Sequence, residues 1–447
     1  MTSLSSSEDI LSEKVSGDVA IQQTQPLHVI ARESAQDLWK PLWSEALLPY
    51  LCTRVVLLLV GLLGIFYIMP LLAKNPFFAP PAPFPQELWL MWKHFDSGFY
   101  IQLAWHGYAP ASALHTSSNW AFYPLYPLLI AGLGRLMGGG ENAFALAGYC
   151  ISFLASLVAV GYLYALVRRE LGGQIAARAV FYLAIFPLSF YLSAVYPEAL
   201  FLAFAIAACY YARQQSWWLA GLCGGLAALT RPQGSLLLLP LACEYLRVIA
   251  QPFLAVSEGE RSWPTQLREY FKALGLAMGK LHNWFTGIAL CLIPGGLLCF
   301  LLYAKLKTGD LLATVHTEAW GWGRTFSPPW RLLIYSLRHP IIGQPLNWNF
   351  WLLNMFLALA SLGVIIWAWR KLPVLYALYA TVMVLLPLSS NFLNSFDRYS
   401  LTVFPAFILL ALFGERHKNG HILLVTSFTA IQAVCTLLYV MGVPVIA

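Results

Sequence analysis

The chain has 447 residues, 59% of them hydrophobic and only 11% charged, against roughly 25% charge in soluble domains. That composition excludes a water-soluble globule. The formal charge of +7 does not point to nucleic acid, because the Lys and Arg residues are scattered between apolar runs and form no dense basic stripe.

Residues 1–40 are rich in Ser, Gln, Glu and Asp, and no basic stretch is followed at once by an apolar run. They read as a disordered cytoplasmic tail, not a cleaved signal peptide. From 41 to 447, apolar runs of about 20 residues, enough to cross a ~30 Å hydrocarbon core, recur almost to the C-terminus. This stretch reads as one membrane domain. Helices are expected near 46–70, 144–167, 177–195, 198–212, 216–230, 233–247, 284–305, 350–369, 373–390, 399–414 and 421–443. The expected fold is therefore all-α, a polytopic membrane protein of about eleven transmembrane helices. The fourth to sixth are short, which fits tilting or breaks at Pro197 and Pro232.

Arg168, Arg169, Arg178, Arg213, Arg370, Lys371, Arg416 and Lys418 lie in short loops, which makes those loops cytoplasmic. This orientation leaves a long first external loop, 71–143. The apolar stretch 122–137 within it is expected to be an interfacial or re-entrant helix. Pro124 and Pro127 at its start, and Gly138, Gly139 and Gly140 at its end, suit a short surface segment.

With the orientation set by charge, Asp96, Glu198, Arg231, Glu318, Arg324, Asp397 and Arg398 all fall on the non-cytoplasmic face. Ionisable groups at membrane depth are functional candidates because burying them is costly. Plainer roles remain open for each: Asp96 as a helix cap, Arg231 as a snorkelling helix-end residue, Asp397 and Arg398 as an ion pair between loops. Trp320, Trp322 and Trp330 suit an ordinary aromatic belt. The eight cysteines show no ligand spacing and the histidines no HExxH, so neither a metal site nor a cofactor is expected. No Gly-rich nucleotide loop is present either, which argues against a nucleotide-sugar donor.

Around these residues the sequence forms a series of motifs. The first loop contains Phe95-Asp96-Ser-Gly-Phe-Tyr100, then Ala104-Trp-His106-Gly-Tyr108, then Ala121-Phe-Tyr-Pro124-Leu-Tyr-Pro127. Next come Phe186-Pro187 through Tyr196-Pro197-Glu198, Thr230-Arg231-Pro232, Trp320-Gly-Trp-Gly-Arg324 and Asp397-Arg398-Tyr399. In this order, over roughly residues 90 to 410, they resemble the PIG-V-like mannosyltransferases of the GT-C superfamily of polytopic glycosyltransferases. Phe95 stands where that family usually has Trp, Pro197 where Ser is commoner, and Glu318 where many bacterial relatives have Gln.

The resemblance implies a GT-C-like fold and transfer of mannose, with inversion, from a polyprenyl or dolichyl phosphate mannose donor to a glycan or glycolipid acceptor. The reaction is expected on the external or lumenal face of a bacterial plasma membrane or the endoplasmic reticulum. Asp96 is then the expected base. Arg231 and Arg398 would bind the lipid phosphate. His94, Tyr100, His106, Tyr196, Glu198, Glu318, Arg324 and Asp397 complete the candidate substrate-binding set. The competing class is a transporter or flippase for a lipid-linked substrate. It predicts a midplane site between repeated halves with matching interrupted helices, and the sequence presents no such pair.

Overall fold

A computed structural model describes residues 39–72, 82–116, 118–254, 263–339, 345–393 and 395–443, with the side chains of 345–350 excepted. Of the disordered tail expected over 1–40, residues 1–38 lie outside the described residues, and Trp39 and Lys40 already belong to the first helix. In chain order the helices are α1 (Trp39–Leu71), α2 (Ser97–His106), α3 (Leu125–Leu136), α4 (Glu141–Leu171), α5 (Gly173–Ile185) and α6 (Glu198–Arg213). There follow α7 (Trp217–Thr230), α8 (Pro232–Phe253), α9 (Trp263–Met278), α10 (Leu281–Thr308), α11 (Ala313–Trp320) and α12 (Pro329–Arg338). The last are α13 (Pro345–Lys371), α14 (Val374–Leu388), α15 (Phe396–Leu401), α16 (Pro405–Arg416) and α17 (Lys418–Val440). The protein is an all-α polytopic membrane protein, and six of its described helices (α1, α4, α8, α10, α13, α17) are long and apolar enough to cross a membrane.

Helix α6 is the hub: nearly every residue from Glu198 to Ala212 is buried, as expected of a helix apolar all round. It packs against α4 on one side and α7 on the other. Helix α7 in turn approaches α10 closely along small residues. A Cβ on Gly221 would lie 2.0 Å from the Ala289 carbonyl oxygen, and one on Gly296 would lie 2.4 Å from that of Gly225. Only glycine permits this spacing, the usual way to gain van der Waals contact where lipid supplies no hydrophobic drive.

Two expected helices are interrupted. The run 177–195 stops at Ile185, because Pro187 cannot continue it, and the chain turns through a 3₁₀ segment at Ser189–Leu192 before α6 begins. The carbonyls freed by this break are satisfied from the first and last spans. Arg54 donates to the carbonyl oxygens of Ala184 (2.6 Å) and Ser189 (2.7 Å). Gln432 donates to the Ala184 carbonyl (2.8 Å) and to Ser189 Oγ (2.6 Å). The run 399–414 is split in the same way, into α15 and a second helix that starts at Pro405.

At the bundle end opposite these breaks, charges sit on regular helices. Arg213 donates to Glu170 at 2.6 Å and to Glu244 at 2.8 Å. Arg247 engages both oxygens of Glu244, and the Tyr376 hydroxyl donates to Glu170.

Candidate active site

The loop before α2 positions Asp96. Phe95 adopts a left-handed backbone with φ of 55°, which a bulky residue enters only at a cost of about 1–3 kcal/mol. The turn makes Asp96 the residue that starts α2, where the helix dipole favours a negative charge. Its carboxylate makes no capping hydrogen bond. It faces Arg398 instead, with Oδ2 2.7 Å from Nη2. The Asp96 N–H donates to the Tyr196 hydroxyl at 3.2 Å, and that hydroxyl donates to the His94 carbonyl at 3.1 Å.

The break between α5 and α6 places Tyr196 and Glu198. Glu198 is fully buried in the first turn of α6 and accepts from Arg231 at 2.5 Å. Arg231 joins α7 to α8 in extended backbone, where Pro232 bars continuation of the helix. Its guanidinium also lies 4.8 Å from the centre of the Tyr399 ring.

The second interruption supplies Asp397 and Arg398. Ser395, at φ of 67°, turns the chain into α15. The Asp397 N–H donates to Asn354 of α13 at 2.8 Å, and the Tyr191 hydroxyl reaches the Asp397 carboxylate at 3.4 Å. Arg398 lies 5.0 Å over the Tyr196 ring and donates to Ser395 Oγ at 2.8 Å. From the loop after α11, Arg324 donates to the Tyr399 hydroxyl at 3.2 Å and stands 3.9 Å from Glu318. Burial raises the Glu318 carboxyl above its ordinary pKa, against the opposing pull of Arg324.

The structure therefore gathers Asp96, Tyr100, Tyr196, Glu198, Arg231, Glu318, Arg324, Asp397 and Arg398 at one end of the bundle. The Tyr100 ring lies edge-on to Tyr196 at 6.4 Å, and its hydroxyl is within electrostatic range of Asp96, Glu198, Arg231 and Arg398. The two histidines stand apart. His94 turns its Nε2 to the Val440 carbonyl at 3.0 Å, and burial pushes it down to about 4, so the neutral ring ties the loop to α17. His106 is exposed at the other end of α2, stacked on Trp105, roughly 15 Å along the helix from Asp96.

Three members of the cluster are absent from the expected set. Tyr399 joins Arg231 to Arg324, Tyr191 touches Asp397, and Asn354 holds the start of α15. Tyr191 and Tyr399 lie inside quoted motifs, so adjacency to the charged residues was the available signal. Asn354 lies in an apolar run with no motif around it. Among the aromatics assigned to a belt, Trp322 packs edge-on against Phe99 at 5.1 Å, and Trp320 is stacked between His115 and His316 at 4.4 and 4.5 Å.

Residues 121–278 match the family described as dolichyl-phosphate-mannose-protein mannosyltransferase. That stretch contains Tyr196, Glu198 and Arg231, while Asp96 and the residues from 318 onward lie outside it. Among curated proteins, none is significantly similar in sequence. Two solved structures resemble the chain weakly. The archaeal oligosaccharyltransferase AglB from Archaeoglobus fulgidus, in complex with an inhibitory peptide and a dolichol-phosphate, is 14% identical over 89% of this chain, with a TM-score of 0.41. The chain spans 56% of that protein's length. ArnT from Cupriavidus metallidurans, bound to undecaprenyl phosphate, is 12% identical over 88% of this chain and 76% of its own, with a TM-score of 0.45.

Proposed function

We propose that the chain is a GT-C-type membrane glycosyltransferase. In this reading it moves mannose from polyprenyl or dolichyl phosphate mannose to a glycan or glycolipid acceptor on the non-cytoplasmic face, with inversion. The observation that carries the proposal is the placement of Asp96: a partly exposed carboxylate, free of capping duty, in a cluster with the buried Arg231 and Arg398 at the end of a membrane bundle. The match to the mannosyltransferase family over residues 121–278 supports the sugar and donor class, and the motif resemblance supports the PIG-V-like branch.

Mechanistically, Asp96 accepts the proton of the acceptor hydroxyl as its oxygen attacks the anomeric carbon. The new C–O bond forms as the bond from that carbon to the phosphate oxygen breaks. The lipid phosphate leaves with the bonding electrons. A phosphate needs charge stabilisation and little general-acid help, which the forked guanidinium groups of this cluster are suited to give. Glu198 orients Arg231, and the buried Tyr196 fixes the Asp96 main chain through its hydroxyl.

The test is transfer from radiolabelled polyprenyl phosphate mannose in membranes containing wild type or Asp96→Asn at matched protein levels. Wild-type transfer that Asp96→Asn abolishes supports the reading. Wild type inert toward the lipids and glycans of its own host refutes the donor class, and an Asp96→Asn variant as fast as wild type refutes the base.

A further inference from the structure

We propose that Arg398 is a switch between Asp96 and the donor's phosphate: it holds Asp96 in the empty site, and an arriving lipid phosphate takes its place and frees the carboxylate. The inference rests on the glycosyltransferase reading and concerns how that site is armed.

It begins from charge balance. Among the described residues, Arg231, Arg324 and Arg398 face the four carboxylates Asp96, Glu198, Glu318 and Asp397, and each arginine already has a carboxylate beside it. An anionic phosphate entering this cluster finds no surplus cation, so a pair has to open.

The pairs differ in what opening them strands. Glu198 has a fully buried side chain, and its Oε2 has no partner among the described residues even with Arg231 in place. Removing Arg231 would leave an uncompensated charge in a low-dielectric interior, the costliest outcome. Arg231 is therefore a fixture. The Arg324–Glu318 contact, at 3.9 Å with both side chains partly exposed, is loose, but opening it does not release the candidate base, and Arg324 also holds the Tyr399 hydroxyl.

Asp96 differs from both. Its side chain is 27% exposed, so water and an acceptor hydroxyl can replace Arg398 as hydrogen-bond partners. The switch also needs little motion. When Arg398 gives up Asp96 it keeps Ser395 Oγ at 2.8 Å and the face of Tyr196 at 5.0 Å. Its Nε, buried and without a partner among the described residues, is a spare donor on the same guanidinium. Asp96 keeps its main-chain anchor on the Tyr196 hydroxyl, so the carboxylate can turn without the loop moving. Arg398 becomes the gating phosphate ligand, and the base is withheld until the donor is seated.

A double-mutant cycle on lipid-phosphate affinity tests this in full-length protein in phosphatidylcholine nanodiscs, with undecaprenyl phosphate as the probe. Competition with Asp96 predicts that Asp96→Asn binds the probe more tightly than wild type, by roughly tenfold, and that this gain vanishes in an Arg398→Gln background. Arg398→Lys, which keeps a cation, retains the gain and guards against a merely misfolded Arg398→Gln. An equal gain from Asp96→Asn in both backgrounds would mean that Asp96 repels anions generally, which overturns the switch and leaves the transferase reading intact. A wild type that binds no lipid phosphate, with Asp96→Asn equally inert, overturns both.

Discussion

Two clusters of charge occupy opposite ends of this bundle, and they are built differently. At the far end, Glu170, Arg213, Glu244 and Arg247 project from regular helices, and Glu244 has both oxygens engaged. At the site end, Asp96, Glu198, Arg231, Asp397 and Arg398 stand at helix starts, breaks and strained turns, and Glu198 Oε2 and Arg398 Nε lack partners among the described residues. A closed network on rigid elements fixes packing. One carried by interruptions with unused hydrogen-bonding capacity is poised for a ligand.

The largest expected effect separates chemistry from stability. Asp96→Asn should lower transfer by roughly 10³-fold, in the range of a lost general base, with a nearly unchanged melting temperature because Asp96 is partly exposed and the asparagine can still accept a hydrogen bond from Arg398. A comparable loss of folding would make Asp96 structural and erase the contrast between the clusters.

Next, Arg231→Met alone should destabilise the protein by about 3–5 kcal/mol, the cost of stranding a buried partner. Adding Glu198→Leu should restore stability without restoring transfer. At the far end, replacing Glu170, Arg213 and Glu244 together by Gln, Met and Gln should leave transfer close to wild type. Denaturation curves and transfer rates measured side by side decide it, and recovered transfer in the Glu198 and Arg231 double variant would break the comparison.

Smaller again is Arg54→Met, expected to cost about 2 kcal/mol by weakening the carbonyl contacts at the α5 break, with a fall in transfer because that break carries Tyr196 and Glu198. The smallest effect concerns His94. Folded His94 resists protonation until about pH 4, whereas the unfolded chain takes up a proton near 6.5. The folded state therefore loses stability as the pH falls from about 6.5 toward 4. His94→Gln should flatten that part of a melting-temperature profile relative to wild type, and parallel profiles would show that His94 contributes nothing there.

Helix positions were legible in the sequence because apolar length is a direct consequence of bilayer thickness: all eleven expected runs contain helix. Their interruptions were only half legible. Pro197 and Pro232 were marked as break points, but the break after Ile185 comes from Pro187, inside a run that hydropathy alone carries on to residue 195. Helix α9, amphipathic and outside any full apolar span, had no counterpart in the expected set, since a run-length reading passes over it. For the site, polarity at membrane depth singled out seven charged residues that the fold then gathers, whereas His94 and His106 were drawn in by proximity to Asp96 in sequence. Local spacing cannot tell which way a loop residue turns. His94 faces α17, more than 300 positions away in the chain. Asn354 and Arg54 lay hidden in apolar runs, and their partners belong to other helices.

The contacts of α17 also bear on the order in which the protein comes into being. Gln432 reaches the α5 break, the Tyr439 hydroxyl donates to the Trp92 carbonyl at 3.1 Å, and the Val440 carbonyl receives His94. These hold the Asp96 loop and the Glu198 segment from a helix that leaves the ribosome after every other helix described. Chains fold from the N-terminus as they are made, so once Arg398 is synthesised the charged residues are all present before the brace that aligns them. Completion of the site is thus a late event in biogenesis, and a chain interrupted between residues 400 and 430 would carry all of the site's acidic and basic groups without the contacts that tie the Asp96 loop and the α5 break to α17.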